Sequence, residues 1–178
     1  LMHYGQILQS HALHFFHLSS PDLLFGFDSE VARRNIVGVA AAHPEIARQG
    51  VLLRKFGQEV IRHTAGKRIH GTGSVPGGVN KSLSPAERDE LAKDVYQMIA
   101  WSRGAVRLVR QLFEAHLEEW RDFGSFASRT LSLVRYDGAM DLYHGGLRAR
   151  QADGAVIFDH ADYGRYWELI SEEVKAWS

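Results

Sequence analysis

Cysteine is absent from all 178 residues of the chain. Its absence excludes a disulfide scaffold, a thiol nucleophile and any thiolate-ligated metal or Fe–S cluster within the chain. The fold must therefore be held by a hydrophobic core, and a composition of 45% hydrophobic and 24% charged residues is that of an ordinary globular domain. A compact chain of this length can bury roughly 70% of its extended surface.

The charges balance, with 21 Lys and Arg against 21 Asp and Glu. Because a nucleic-acid binder normally carries a basic excess, we expect no nucleic-acid partner. No apolar run approaches the ~20 residues of a membrane span, and no signal-peptide pattern opens the chain. Both ends continue in a helical pattern without a terminating Gly or Pro, so we expect the chain to be a fragment.

Helical periodicity dominates the first third of the chain. It predicts helices over residues 4–19, 29–42 and 44–64. We expect Pro21 to end the first helix, because the residue before a proline is pushed out of the α region, and Gly66 to cap the third. The apolar stripe predicted for the first helix comprises Tyr4, Leu8, His11, Phe15 and Leu18.

A glycine-rich stretch over residues 67–83 then predicts a loop with short extended pieces. The segment 73–82 fails as a phosphate-binding loop, because Val79 stands where that motif needs lysine. Pro76 also removes a backbone N–H that would contact phosphate. The sequence therefore predicts a loop whose backbone passes close to another element or chain.

A capping box formed by Ser84 and Glu87 opens a long predicted helix that runs to about residue 123. Gly104 interrupts this helix and is a candidate for a close helix–helix contact. The buried face predicted for the helix comprises Leu91, Val95, Met98, Val106, Val109, Phe113, Leu117 and Trp120.

The periodicity changes to two after residue 125. Turn signals at Asp137-Gly138 and Asp153-Gly154 separate the apparent strands, and a last helix is predicted from Asp159 to the end. The predicted strands cover residues 130–136, 147–150 and 155–158.

These elements predict a mainly α fold, a long-helix bundle with a small antiparallel β-sheet or hairpin insertion. The helical bundle would comprise residues 1–124 and 159–178, and the β region residues 125–158. We expect one structural portion rather than two separate domains.

Three histidines, His11, His14 and His17, follow one another at i, i+3 spacing on the first helix. Such a pair can share a metal, but a site needs three or four ligands and Asp22 is the only nearby carboxylate. A buried, hydrogen-bonded His11, or a His11 that lines a pocket without ligating, is an alternative. Ser10 cannot readily hydrogen-bond the adjacent His11 ring, which argues against a hydrolase.

Several blocks resemble the large subunit of [NiFe] hydrogenases, most closely the cytoplasmic group with NAD-linked and methyl-viologen-reducing enzymes. The similarity covers nearly the whole chain. It is carried by residues 9–18, 21–26, 53–59, 69–80, 143–145 and 173–178. In that family a Ni–Fe(CN)2CO centre is bound by two Cys-x-x-Cys motifs, one near each end of the subunit. Neither motif is present, so the resemblance implies a central fragment whose metal ligands lie outside the chain.

The resemblance also implies roles for individual residues. His11 matches a histidine near the active site, and Ser10 stands where many membrane-bound relatives have Asp, so both are candidates for groups around the metal ligands. His70 matches a histidine that faces the small subunit near its Fe–S cluster. The backbone of Gly77 and Gly78 would lie against that subunit.

The resemblance implies that the intact enzyme converts H2 reversibly to protons and electrons, which pass to a small Fe–S subunit. An NAD-reducing diaphorase or another electron-acceptor module would be a further partner, in the cytoplasm. The fragment alone is expected to be inactive and to bind no metal.

Two alternatives stay open. The first is the hydrogenase-like, metal-free subunit of respiratory complex I that helps form a quinone pocket, which the lack of cysteine would suit. The second is a free-standing helical scaffold or interaction domain.

Overall fold

The computed structural model describes residues 1–177 and divides into two compact units, Leu1–Trp120 and the residues from Arg121 onward. About half of the chain is helical, and the strands form small antiparallel sheets. Among the described residues no helix is both long and apolar enough to cross a bilayer. The predicted combination of helices with a small antiparallel sheet is therefore confirmed in outline; the mainly α, long-helix bundle stays a prediction.

The first unit begins with one continuous helical rod of three parts. It consists of α1 (Met2–Leu13), a π-helix (His14–Ser19) and α2 (Ser20–Phe25). Pro21 does not end this rod, contrary to expectation; it falls in the first turn of α2, directly after the π-helix. The hydroxyl of Ser20 donates to Phe16 O at 2.7 Å and so supplies a hydrogen bond that Pro21 cannot. Gly26 ends the rod at φ +86°.

Capping residues set the start of α3 and the end of α4. α3 (Ile36–Ala42) begins later than predicted, because the Asn35 side chain accepts hydrogen bonds from Val37 N and Gly38 N and thereby fixes the first turn. Residues 29–34 form turns instead of helix. α4 (Pro44–Ala65) ends at Gly66 with φ +79°, as predicted.

Backbone contact joins α1 to α4. A Cβ atom added to Gly57 would lie 2.7 Å from both Gln9 N and Gly5 O, and one added to Gly5 would lie 2.8 Å from Val60 Cγ1. Only glycine permits this approach. The buried side of the rod therefore runs through Gly5, Ala12 and Phe16 rather than through the predicted stripe.

The core of the first unit lies where the rod, α4 and α6 (Val95–Ala115) meet. Its buried members are Ala12, Phe16, Leu53 and Met98. Met98 is the one buried residue of α6. At the predicted contact residue Gly104, an added Cβ would meet only the end of the Arg107 side chain, at 3.9 Å, so the expected close helix contact is absent within the described chain.

The predicted helix from Ser84 to residue 123 is three helices. α5 (Pro85–Ala92) has the predicted capping box; α6 and α7 (Leu117–Trp120) follow. At the first break, Lys93 N and Asp94 N donate to carbonyls three residues earlier, at 3.4 and 3.3 Å. The tighter turn interrupts the α-helical pattern. Neither Gly nor Pro marks the breaks, so the sequence pattern did not predict them.

Short strands form two separate antiparallel sheets. In the first unit, β1 (Ser74–Val75) pairs with β2 (Gly78–Val79). The sheet of the second unit consists of β3 (Thr130–Val134), β4 (Gly146–Arg150) and β5 (Val156–Ala161), with β4 in the middle. The predicted strands and the turn at Gly154 are therefore confirmed.

The helix predicted from Asp159 is wrong. Residues 159–161 belong to β5, where the Asp159 carboxylate accepts from Arg148 Nε at 2.7 Å. His160 adopts φ +50°, a left-handed conformation that no α-helix contains. A 3-10 helix (Tyr163–Glu168) follows, and residues 169–177 form no regular helix. The predicted end at Ser178 lies outside the described residues.

Candidate functional site

An apolar cavity of about 600 Å³ follows one side of α1 and the π-helix. The opposite wall belongs to α6 and includes Ala105 and Val109. His11 and His14 contribute the imidazole rings in an otherwise mainly hydrophobic lining. Cavities of this kind, apolar with a few polar groups, are the usual sites of small-molecule binding or of contact with another chain segment.

His11 lines this cavity from an exposed position, so the expectation of a buried His11 is wrong and that of a pocket-lining His11 is confirmed. Its Nδ1 lies 2.9 Å from Ile7 O. Because a carbonyl only accepts, Nδ1 carries the proton, and in the neutral ring Nε2 keeps its lone pair. Ser10 is exposed and outside the cavity wall. The roles of Ser10 and His11 beside a metal centre stay predictions.

The three histidines of the rod do not converge. His11 and His14 line the apolar cavity, whereas His17 lines a different recess with residues of α4. Over the described residues no group of three or more His, Asp and Glu side chains is arranged to hold a metal ion. The described part of the chain therefore does not bring the three histidines into one cluster.

The glycine-rich loop presents its predicted interface residues on the surface. Pro76 and Gly77 form the turn between β1 and β2, with Gly77 at φ +85°, as in a type II turn. A Cβ atom on Gly77 or Gly78 would meet nothing within 4 Å. His70 is exposed and has φ +52°. That these residues contact a small subunit stays a prediction.

The close backbone approach expected in this loop lies at other glycines. A Cβ atom on Gly71 would be 2.6 Å from Ala65 Cβ, and one on Gly73 would be 2.5 Å from Met2 Sδ. These two glycines seat the loop against the end of α4 and the start of α1. The turn at Gly77 is therefore free to project from the surface.

A half-buried polar network holds the other side of the loop in place. Lys81 Nζ donates to both carboxylate oxygens of Glu87, at 2.7 and 2.9 Å, and to His63 O at 2.7 Å. His63 is only 5% exposed, and its Nδ1 lies 3.2 Å from Glu87 Oε1. Ser84 N and Oγ both donate to Glu87 as well. One carboxylate thus links the loop, α4 and α5.

The hydrogen bonds define the protonation pattern in this network. Arg62 Nη2 lies 2.8 Å from His63 Nε2; a guanidinium only donates, so Nε2 accepts and Nδ1–H points to Glu87. The Lys81 ammonium, the Ser84 backbone N–H and the His63 ring hold the pKa of Glu87 well below its usual range. Glu87 is therefore a charged anchor and is unsuited to act as a general base near neutral pH.

Sequence reasoning identified one part of this network and missed the rest. The capping box already assigned Glu87 to the N–H of Ser84. The partnership of Glu87 with Lys81 and His63 depends on how the loop folds back on α4, over separations of six and 24 residues. No local periodicity signals contacts of that kind.

No protein-family model matches the chain. Individual proteins do. It is 39% identical over its full length to the NAD-reducing hydrogenase HoxS subunit beta of Cupriavidus necator, of which it covers 38%. It is 42% identical, over 93% of its length, to one subunit of the F420-non-reducing hydrogenase vhu of Methanocaldococcus jannaschii, and it covers 40% of that protein. The chain is a homologue of hydrogenase subunits.

Hydrogenase similarity extends to the fold. A crystal structure of an NAD+-reducing [NiFe]-hydrogenase in the H2-reduced state superposes on 99% of the chain with a TM-score of 0.88 and 52% sequence identity. The chain covers 39% of that structure's chain and about two fifths of the length of the curated hydrogenase relatives it matches.

Proposed function

We propose that the chain is the central part of the large, catalytic subunit of a [NiFe] hydrogenase of the NAD-linked or methyl-viologen-reducing type. The observation that carries the proposal is the similarity to the NAD+-reducing enzyme, at 52% identity over 99% of the chain. The proposed reaction of the intact protein is the reversible oxidation of H2 to protons and electrons. A small Fe–S subunit would receive the electrons and pass them to a diaphorase or another acceptor module in the cytoplasm.

The residues of this chain do not fit the Ni–Fe(CN)2CO centre as its ligands. The chain has no cysteine, and the described His, Asp and Glu side chains form no metal-binding group. In the proposal, ligands come from sequence on either side of this chain. The chain itself would contribute Ser10 and His11 of α1 as groups around the metal ligands, and a partner surface formed by His70, Gly77 and Gly78.

The coding sequence around the chain is the first test. We expect one Cys-x-x-Cys motif before residue 1 and one after residue 178, because the proposed centre requires four thiolates. Flanking sequence that lacks both motifs would overturn the proposal and favour the metal-free quinone-pocket subunit of complex I. The hydrogenase relatives argue for the first outcome.

The purified chain provides a second test. We expect neither stoichiometric nickel, measured by elemental analysis, nor H2-dependent reduction of methyl viologen. The full-length subunit, matured and assembled with its small subunit, should show both. Nickel bound at a single site in the isolated chain would contradict the assignment of its ligands to flanking sequence.

A further inference from the structure

A small basic recess lies between the π-helix and α4. We define it by His17, Val51, Arg54, Lys55 and Gln58, which enclose about 240 Å³. The α4 members follow one another at i, i+3, i+4 and i+7 and so share one face of the helix. No aspartate or glutamate lines the recess.

The π-helix brings His17 to this face. π-helical turns are rare and are found frequently at functional sites. Gly50, one turn before Arg54 on α4, has no side chain, and a Cβ there would fall on the ring of Phe16. This contact allows the π-helix to sit directly on α4, so that His17 closes the recess.

Two nitrogen atoms in the recess are buried and have no hydrogen-bond partner within the described chain. They are His17 Nδ1 and Arg54 Nε. Buried polar atoms are nearly always paired, so each unpaired atom calls for an explanation. Arg54 Nε–H can only donate, and His17 Nδ1 donates when it carries the proton. Arg54 Nε therefore lacks an acceptor among the described residues, and a protonated His17 Nδ1 can donate to the same acceptor.

The other arginines of α4 have carboxylate partners on the same helix. Arg48 pairs with Glu45, and Arg62 pairs with Glu59, each with Nε–Oε2 bonds under 3 Å. Arg54 has no such neighbour. The positions three and four residues away from it, where a helical partner would stand, are occupied by Gly50, Val51, Gly57 and Gln58.

Lys55 has one acidic residue at helical spacing, Glu59, four residues later. That carboxylate is already bound by Arg62 Nε at 2.6 Å and by Arg68 Nε at 2.7 Å. These two guanidinium groups lower the pKa of Glu59 despite the opposing effect of its burial. The wall of the recess therefore contains two positive side chains and no carboxylate. Lys55 also lines a neighbouring recess with Glu59, Glu90 and Asp94, so Arg54 is the cation without an acidic residue nearby on its helix.

We propose that the basic recess binds one small oxyanion, with Arg54 and His17 donating to its oxygens and Lys55 and Gln58 completing the contact. A guanidinium and an imidazole N–H match an oxyanion, because charge-assisted hydrogen bonds to oxygen are the strongest these groups make. The shared chemistry has two possible sources: a free tetrahedral anion such as phosphate, or the planar carboxylate of a side chain from another protein segment. The proposal is independent of the hydrogenase assignment.

NMR of the 178-residue chain tests this directly. The Arg54 Nε–H resonance, assigned by its loss in Arg54→Lys, is followed while phosphate or acetate is added at constant ionic strength, with chloride as the reference anion. We expect a saturable shift with one of the two probes. Saturation by phosphate supports a free tetrahedral anion, and saturation by acetate alone supports a carboxylate source.

Two variants then test whether the anion binds at Arg54. Arg54→Gln should weaken the affinity for the active probe by roughly tenfold or more, because it removes the charged donor. Arg103→Gln, which removes an exposed arginine of α6, should leave the affinity unchanged. The absence of a saturable shift with both probes, or an equal loss in both variants, would overturn the proposal. The wild-type titration decides even if a variant fails to fold.

Discussion

The two long helices of the first unit, α4 and α6, are both amphipathic and nearly equal in length, but they are covered very differently. α4 buries seven residues, three of which are Gly50, Gly57 and His63. α6 buries Met98 alone. Val106, in the predicted buried face of α6, is 70% exposed, against 8% for Met98. Periodicity thus identifies an apolar face without showing whether the chain covers it.

The position of the covered helix, α4, is fixed by its close approach to α1. Gly57 touches backbone atoms of α1, so the spacing of the two helices leaves no room for a side chain. The apolar side of α6 instead lines the cavity beside His11. In the proposed intact subunit, further sequence would pack against that side. The following predictions test this difference, beginning with the largest effect.

Substitutions of Gly57 in α4 and Gly104 in α6 should change the free energy of unfolding in opposite directions. Gly57→Leu should destabilise the first unit by about 4 kcal/mol or more, above the usual cost of overpacking, because the neighbours are backbone atoms that cannot move aside. Gly104→Ala, in α6, should stabilise by about 0.5–1 kcal/mol through helix propensity. Urea unfolding measures both. Similar effects of the two substitutions would refute the distinction between the helices.

Truncating an apolar side chain should also have different effects on stability in α4 and in α6. Leu53→Ala should cost about 3 kcal/mol, since Leu53 lies fully buried in the core and leaves a cavity. Val109→Ala, on the half-exposed side of α6, should cost less than about 1 kcal/mol. The measurement is the denaturant midpoint at constant m-value. A large loss at Val109 would mean that another surface, such as a second copy, already covers α6.

The Glu87 network predicts a pH dependence of smaller size. The folded pKa of Glu87 is lowered from an ordinary value of 4.5, so its stabilising effect is complete above that pH. It is lost as the pH falls below 4.5 toward the folded pKa. Glu87→Gln should therefore flatten the acid limb of the midpoint-versus-pH curve, whereas Glu90→Gln, an exposed residue of α5, should leave its shape unchanged. Identical acid limbs in wild type and Glu87→Gln would contradict this role.

The smallest effect on stability should come from Val106→Ser. Because Val106 is exposed, we expect a change within about 0.5 kcal/mol. The substitution should nevertheless reduce self-association of the isolated chain, measured by analytical ultracentrifugation, because exposed apolar patches promote it. A monomeric wild-type chain with a sharp, concentration-independent melt would instead favour the free-standing helical domain.

Local signals in the sequence predicted the elements that depend on local chemistry. Gly66 as a C-cap, the Ser84 capping box and the hairpin at Gly154 are examples, since each depends on one turn of chain. The offset of the buried stripe to Gly5, Ala12 and Phe16 was missed because it follows from contact with α4.

In the candidate site, too, the features that depend on one helix could be predicted and those that depend on several elements could not. His11 in a pocket wall could be inferred from residues on one helix. The link from Glu87 to His63 and the basic recess around Arg54 require the positions of separate elements. What the sequence offered there was only the lack of an acidic residue at helical spacing from Arg54.

The π-helix has a consequence for how this chain tolerates insertions and deletions. Each of its turns closes a ring to the fifth residue instead of the fourth, so the segment holds one residue more than an α-helix of equal path. Deletion of a single residue within His14–Ser19 should restore a plain α-helix without breaking the rod. Because the wider turn already absorbs the extra residue, the side chains on either side of the segment should keep their orientation after the deletion. A one-residue deletion here should thus alter only the side chains within the segment, while the overall fold and the facing of the flanking helices are retained.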